Sequence, residues 1–126
     1  GVGLSGGLCG ALATALGCLG LALGNDPEGN VFHNLAFFAR GHFNLYLGRA
    51  EDEQWSMGSG LVDAFRERFG SLECAELTGR EFGSGSDLLD HLESSTICGE
   101  IRGWCAEKTL ELLEGLRDRG RIGTAA

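Results

Sequence analysis

Three of the five cysteines in this 126-residue chain lie where the sequence predicts a helix to begin. Cys9 follows a Gly-Gly turn and opens an apolar run, while Cys98 follows a Ser-Ser-Thr cluster. Cys74 comes three residues after Ser71, which we expect to be an N-cap. A helix start presents unpaired backbone N–H groups and the positive end of the helix dipole, and both stabilise a thiolate. We therefore expect Cys9, Cys74 and Cys98 to form a sulfur site.

The other two cysteines, Cys18 and Cys105, lie inside predicted helices among apolar neighbours. We expect both to be buried and to act as small hydrophobic side chains. Cys9 and Cys18 are separated along one helix by about 13.5 Å, and Cys98 and Cys105 by about 10.5 Å. A disulfide requires Cα atoms within about 7 Å, so any bridge or shared metal must join different helices.

The rest of the chain reads as helices, and no alternation with period two runs for longer than four residues. The predicted helical segments run from Leu8 to Leu23, from Asp26-Pro27-Glu28 to about Leu47, through Leu61 to Phe69, from Cys74 to Gly79, over Asp87–Leu92, and from Cys98 to about Leu116. We predict an all-α fold: a small single-domain helical bundle over residues 1–116, followed by a frayed tail over 117–126.

The segment Leu8–Leu23 is rich in Gly and Ala and carries no charge. We predict that it is the buried central helix of the bundle rather than a membrane span. Such a helix must be covered on all sides, and its glycines would let another helix approach closely. We therefore expect a homodimer or a partner redox protein to contact it. The formal net charge of −8 argues against a nucleic-acid partner, and we expect a cytoplasmic location.

Two stretches of this sequence match a known pattern. One is Gly-Gly-Leu-Cys-Gly-Ala-Leu around Cys9, and the other is Arg-Phe-Gly-Ser-Leu-Glu-Cys-Ala-Glu-Leu-Thr-Gly around Cys74. Together with Cys98 at the start of the last helix, they resemble the C_GCAxxG_C_C family. These are small bacterial and archaeal proteins regarded as redox-active and related to a domain of split-Soret cytochromes. The resemblance implies that Cys9, Cys74 and Cys98 are the family cysteines, with Cys18 and Cys105 outside the pattern.

The sequence departs from that family in two places. The family's first cysteine, on a helix before the glycine motif, has no counterpart, which we interpret as a missing N-terminal helix. The glycine motif is also altered, because Thr14 stands where a small glycine is expected. Haem is not expected, since the chain contains no Cys-x-x-Cys-His motif.

Thiols at helix starts have two plausible uses. One is redox activity of the cysteines themselves, by electron transfer or thiol–disulfide exchange through Cys9, Cys74 and Cys98. The alternative is an iron–sulfur or other metal centre held by the same three residues, although clusters ordinarily take four cysteine ligands. A second alternative is a helical interaction module without catalysis. The sequence leaves these interpretations open.

Overall fold

The computed structural model describes residues 1–23, 30–48 and 53–122. Within those ranges the chain forms a short 3-10 turn, Val2–Leu4, and six α-helices, with no strand. The helices are α1 (Gly10–Leu23), α2 (Val31–Tyr46), α3 (Glu53–Phe69), α4 (Cys74–Thr78), α5 (Gly85–Ser94) and α6 (Thr96–Asp118). The predicted all-α fold is confirmed.

Side-chain caps set the starts of three helices. Asn30 accepts a hydrogen bond from the His33 N–H at the start of α2, 2.8 Å away. Ser84 caps α5 and Ser95 caps α6 in the same way. These caps move two predicted helix starts: α5 begins within the expected Gly-Ser loop, and α6 begins at Thr96, two residues before Cys98. At its other end α6 extends two residues past Leu116. The predicted helix start at Asp26-Pro27-Glu28 lies outside the described residues.

The core is built around α1, which contacts both α3 and α6. Its buried side chains are Leu12, Ala15 and Leu19. They meet Leu61 and Phe65 from α3, together with Ile101 and Cys105 from α6. The Phe65 ring also packs against Phe69 and Trp104, with centroid distances of 4.8 and 5.7 Å. Helix α3 ends at Gly70, whose φ of +84° lies in the left-handed region that favours glycine.

Within this chain α1 is covered on one side only, and the expected partner that would cover the other side stays a prediction. Gly10, Thr14, Gly17, Cys18 and Leu21 are exposed along one side of the helix. A Cβ atom placed on Gly10 or Gly17 would meet nothing within 4 Å, so these glycines make no close helix contact inside the chain. In the part of the chain that the structure describes, no helix is long and apolar enough to cross a membrane.

Candidate functional site

The backbone brings the segments before α1 and α4 side by side. Leu8 and Glu73 form an isolated antiparallel bridge. On one side of it the Cys9 N–H donates to the Leu72 carbonyl at 2.8 Å, and on the other the Cys74 N–H donates to the Gly7 carbonyl at 2.7 Å. Two cysteines that are far apart in sequence are thereby fixed on neighbouring segments.

This pairing places the Cys9 and Cys74 side chains on the same face. Successive side chains of an extended segment alternate between faces, so Leu8 and Glu73 point one way while their neighbours point the other. Leu8 and Glu73 are accordingly exposed, whereas Cys9 is buried and Cys74 is half-buried. Diagonal neighbours in such a pair lie about 7–8 Å apart at Cα, with their Cβ atoms somewhat closer.

Cys98 approaches from the other side of the site. It lies in the first turn of α6, which contacts α4, and its N–H donates to Ser95 Oγ at 3.3 Å. Arg102, one turn later, donates from Nε to the Cys98 carbonyl and from Nη2 to the Leu92 carbonyl of α5, both at 3.3 Å. This arginine therefore ties the start of α6 to α5.

All five cysteines line one cavity of about 750 Å³ between α1, α4, α5 and α6. We call it the cysteine cavity. Besides Cys18, helix α1 contributes only small residues to the cavity, namely Gly10, Ala11, Thr14 and Ala15. Elsewhere the wall is aliphatic, from Leu77, Leu88, Leu92, Ile101, Leu110 and Leu113, and Arg102 is its one charged residue among those that the structure describes.

The three threonines of the cysteine cavity add little polarity to it. Thr14, Thr78 and Thr109 each donate their hydroxyl hydrogen to the carbonyl four residues earlier, at 2.7–2.9 Å. Such bonds turn the hydroxyl hydrogens into the helices and away from the cavity. The thiols are consequently the principal reactive groups of an otherwise apolar space.

Two sequence expectations about individual residues need correction. Cys18, predicted to be buried, is exposed and lines the cavity from α1. Ser71 does not cap α4, because the N-cap is Glu73. Ser71 Oγ instead accepts from the Glu73 N–H and donates to the Glu76 carboxylate. The N–H groups of Cys74 and Ala75 donate to loop carbonyls, so they are not free to stabilise a thiolate as the helix-start argument supposed.

Cys105 is buried, as predicted, with 3% of its surface exposed. Burial raises the pKa of its thiol to about 11, and the neighbouring Cys9 acts in the same direction. Since the thiolate is the nucleophile, Cys105 is unsuited to attack at neutral pH. Cys9 and Cys105 both belong to the buried core cluster and both line the cavity.

Raising the pH should destabilise the protein through Cys105. The unfolded thiol, with a pKa near 9.0, loses its proton before the folded one does. Below pH 9 the Cys105 thiol is protonated in both states and does not change the unfolding free energy. Between pH 9 and 11 its ionisation in the unfolded state lowers the unfolding free energy by roughly 2–3 kcal/mol. Denaturant unfolding across this pH range should show that the unfolding free energy falls less steeply with pH in Cys105→Ala than in wild type. Cys18→Ala, at an exposed site, should keep the wild-type slope, and equal slopes in wild type and Cys105→Ala would contradict the assignment.

The described residues do not form a ready metal centre. No three of their Cys, His, Asp or Glu side chains are arranged so that they could hold a metal ion. The cysteines share a cavity but do not converge as the ligands of a tetrahedral thiolate site would. An iron–sulfur cluster or other metal held by Cys9, Cys74 and Cys98 therefore stays a prediction.

The fold and the site define a small all-α protein with a thiol-lined apolar cavity. A family model described as "Putative redox-active protein (C_GCAxxG_C_C)" matches residues 1–112. The chain belongs to this family, as its sequence motifs predicted. Searches of curated proteins and of solved structures gave no match.

Sequence reasoning missed much of the cavity wall. It identified Cys9, Cys74 and Cys98, and the structure places all three on the cavity. It did not identify Arg102 or the two leucines of α5, Leu88 and Leu92. An arginine or a leucine on a helix carries no local signal that it faces a site, so only the cavity that α5 and α6 both line reveals these residues.

Proposed function

We propose that this chain is a thiol–disulfide redox protein whose two-electron couple is formed by Cys9 and Cys74. The observation that carries the proposal is the backbone pairing of their two segments, which puts both side chains on one face of the cysteine cavity. Both are free cysteines. Membership of a family described as redox-active supports the same class of function.

The half-buried Cys74 is the attacking thiol in this scheme. Its thiolate attacks a disulfide of an oxidant, forming a mixed disulfide and releasing one thiolate of that oxidant. Cys9 then loses its proton and attacks the Cys74 sulfur, which releases the second thiolate and closes a Cys9–Cys74 disulfide. Two electrons have passed to the oxidant, which leaves as a dithiol once its two thiolates take up the two protons. The reverse steps reduce a substrate disulfide.

The separation of the two cysteines suits a reversible bond. Diagonal neighbours stand slightly beyond the Cα separation of a relaxed disulfide, so closing the bond requires a backbone approach of about 1 Å. A strained disulfide is more oxidising and more easily reduced than a structural one. Helix α4 is only five residues long, and we expect it to be the element that moves.

Disulfide mapping across a series of glutathione redox buffers tests this proposal. We expect an intramolecular Cys9–Cys74 bridge to appear as the oxidised fraction increases and to disappear on reduction. Acid quenching, alkylation and peptide mass spectrometry would identify it, and Cys98→Ser should still form it. Failure to form any bridge within the cavity, even in the most oxidising buffer, would refute the thiol–disulfide function.

A further inference from the structure

Arg102 is held in the wall of the cysteine cavity by backbone carbonyls rather than by a carboxylate. Its Nε and Nη2 donate to the carbonyls of Cys98 and Leu92. The ion pairs of the residues that the structure describes do not include it, although the chain contains 18 Asp and Glu against 10 Lys and Arg. A carbonyl orients a guanidinium without neutralising its charge, so Arg102 brings a positive charge to a cavity whose other described residues are uncharged.

The sequence of α6 explains why no carboxylate reaches Arg102 from its own helix. Side chains meet on a helix surface when they are three or four residues apart. For Arg102 those positions are not acidic, and they are occupied by Cys98, Gly99, Cys105 and Ala106. Arg66, by contrast, pairs with Asp63 three positions earlier on α3. The guanidinium of Arg102 is therefore left available for an anion that enters the cavity.

The donors left on Arg102 suit a carboxylate. A guanidinium has five N–H donors, and the two carbonyls take one from Nε and one from Nη2. Both hydrogens of Nη1 and the second hydrogen of Nη2 remain, which is enough for the two parallel bonds that arginine forms with a carboxylate. Because a carboxylate is costly to bury without a positive partner, we expect the cavity to accept one carboxylate per ligand and to bind it at Arg102.

The rest of the cavity wall suits an aliphatic chain. Helices α4, α5 and α6 line it with Leu77, Leu88, Leu92, Ile101, Leu110 and Leu113. The threonine hydroxyls donate into their own helices. A peptide would bring amide groups for which this wall offers few partners, whereas a hydrocarbon chain needs none. The cavity volume of about 750 Å³ lies within the roughly 300–1,000 Å³ typical of small-molecule sites.

The thiols of the cavity define the reactive end of such a ligand. Cys9 and Cys74 line the same cavity as Arg102. A substrate with one thiol would need a second molecule to enter before the exchange was complete, whereas a dithiol supplies both thiols from one bound molecule. We propose that the cavity takes a short aliphatic dithiol with one carboxylate, which binds Arg102 while the two thiols react with the Cys9–Cys74 couple. This inference rests on the proposed redox function and names the substrate class for it.

The exchange between this dithiol and the oxidised couple balances without a further reactant. One thiol of the ligand loses its proton and attacks the Cys74 sulfur of the Cys9–Cys74 disulfide, so that Cys9 leaves as a thiolate and takes up a proton. The second thiol then loses its proton and attacks the ligand sulfur that is bound to Cys74. A cyclic disulfide forms, and Cys74 leaves as a thiolate that takes up the second proton. Two electrons have passed from the dithiol to the couple.

Octanoate, a carboxylate with an aliphatic chain and no sulfur, tests the binding site apart from the chemistry. Calorimetric titration of the reduced chain should show an affinity that rises about fourfold per methylene from butyrate to octanoate. Arg102→Gln should weaken octanoate binding roughly 10-fold or more, because it removes the charged hydrogen bonds. Arg66→Gln, on α3 and outside the cavity wall, is the matched control and should bind octanoate as wild type does. Octanoate that does not bind, or that binds Arg102→Gln equally well, would overturn the proposal.

Dihydrolipoate and dihydrolipoamide test the substrate class. Both carry the same two thiols on the same chain, but the first ends in a carboxylate and the second in an uncharged amide. Each would be added to the oxidised protein in a Cys18→Ser background, and loss of the Cys9–Cys74 bridge would be followed by acid quenching and peptide mass spectrometry. At low concentration dihydrolipoate should react at least 10-fold faster, although the net charge of −8 would by itself slow an anion.

Arg102→Gln allows the two dithiols to be compared within one variant. It should slow the reaction of dihydrolipoate at least 10-fold and leave that of dihydrolipoamide unchanged, because only the carboxylate uses the guanidinium. If the variant slows both dithiols alike, Arg102 only holds α6 to α5 and its role in binding the substrate is refuted.

The substrate class and the redox function can fail separately. If octanoate binds through Arg102 but glutathione buffers produce no Cys9–Cys74 bridge, the redox function is refuted and the dithiol substrate with it. If the bridge forms normally but the two dithiols react at equal rates, the substrate class is refuted and the redox function stands.

Discussion

Replacing Cys74 by serine is expected to abolish thiol–disulfide cycling while leaving the protein folded. Serine nearly preserves the volume of cysteine, and its hydroxyl is not a nucleophile toward disulfides at neutral pH. Cys74 is half-buried, so we expect the unfolding free energy to fall by at most about 1–2 kcal/mol. The reduced protein would be mixed with oxidised glutathione, and thiols released into solution would be counted with time. With Cys18→Ser introduced into every protein compared, because Cys18 is an exposed thiol that would itself react, the parent should release two thiols per chain and Cys74→Ser none.

Cys9→Ser distinguishes the two roles in the couple. With the attacking thiol present and the resolving thiol absent, the mixed disulfide on Cys74 should accumulate, because Cys9 is no longer there to displace the second thiolate. Intact-protein mass spectrometry would detect one glutathione per chain. Cys105→Ser is the control for a buried cysteine that takes no part: it should lower stability and leave the release of thiols unchanged. Loss of cycling in Cys105→Ser, with normal cycling in Cys74→Ser, would invert the assignment.

The second large effect is expected at Phe65, the largest fully buried side chain in the part of the chain that the structure describes. Its side chain is fully buried, at 0% exposure, and its ring contacts both Phe69 and Trp104. Phe65→Ala removes most of this side chain from the core and should cost about 3–5 kcal/mol of unfolding free energy. Because small domains are stable by only about 5–15 kcal/mol, the melting temperature should fall by roughly 10–20 °C.

Circular dichroism during thermal and urea unfolding would measure this loss, with all proteins compared at the same concentration. Leu21→Ala is the matched control, because Leu21 is 87% exposed at the end of α1. Its unfolding free energy should stay within about 0.5 kcal/mol of wild type. A loss below 1 kcal/mol for Phe65→Ala would mean that the core is not organised around this ring.

Most of the secondary structure was readable from the sequence because its signals are local. Ser95 caps α6 three residues before Cys98, and Gly70 and Gly79 adopt left-handed conformations at the ends of α3 and α4. The face of α3 that carries Leu61 and Phe65 was likewise visible as a helical spacing, and both are buried. Each of these features depends on residues within one or two helical turns of one another.

The burial of the cysteines was readable only in part. Helix α1 is apolar or neutral at every position, so its sequence contains no polar face that would tell which side is covered. The prediction consequently failed for Cys18, which is exposed, whereas Cys105 is buried as expected. In α6 the charged residues mark the solvent side, and the buried face follows from them.

The sequence by itself determined the all-α fold, several of the helix ends and the three cysteines of the family motif, because these depend on neighbouring residues or on spacing within the motif. Only the tertiary structure decided which thiols meet. Cys9 and Cys74 are paired through backbone hydrogen bonds between Gly7, Leu72 and the two cysteines, and backbone groups are the same whatever the side chain. The cysteine cavity likewise exists because α1 and α6 pack with small residues between them, and no local pattern specifies that contact.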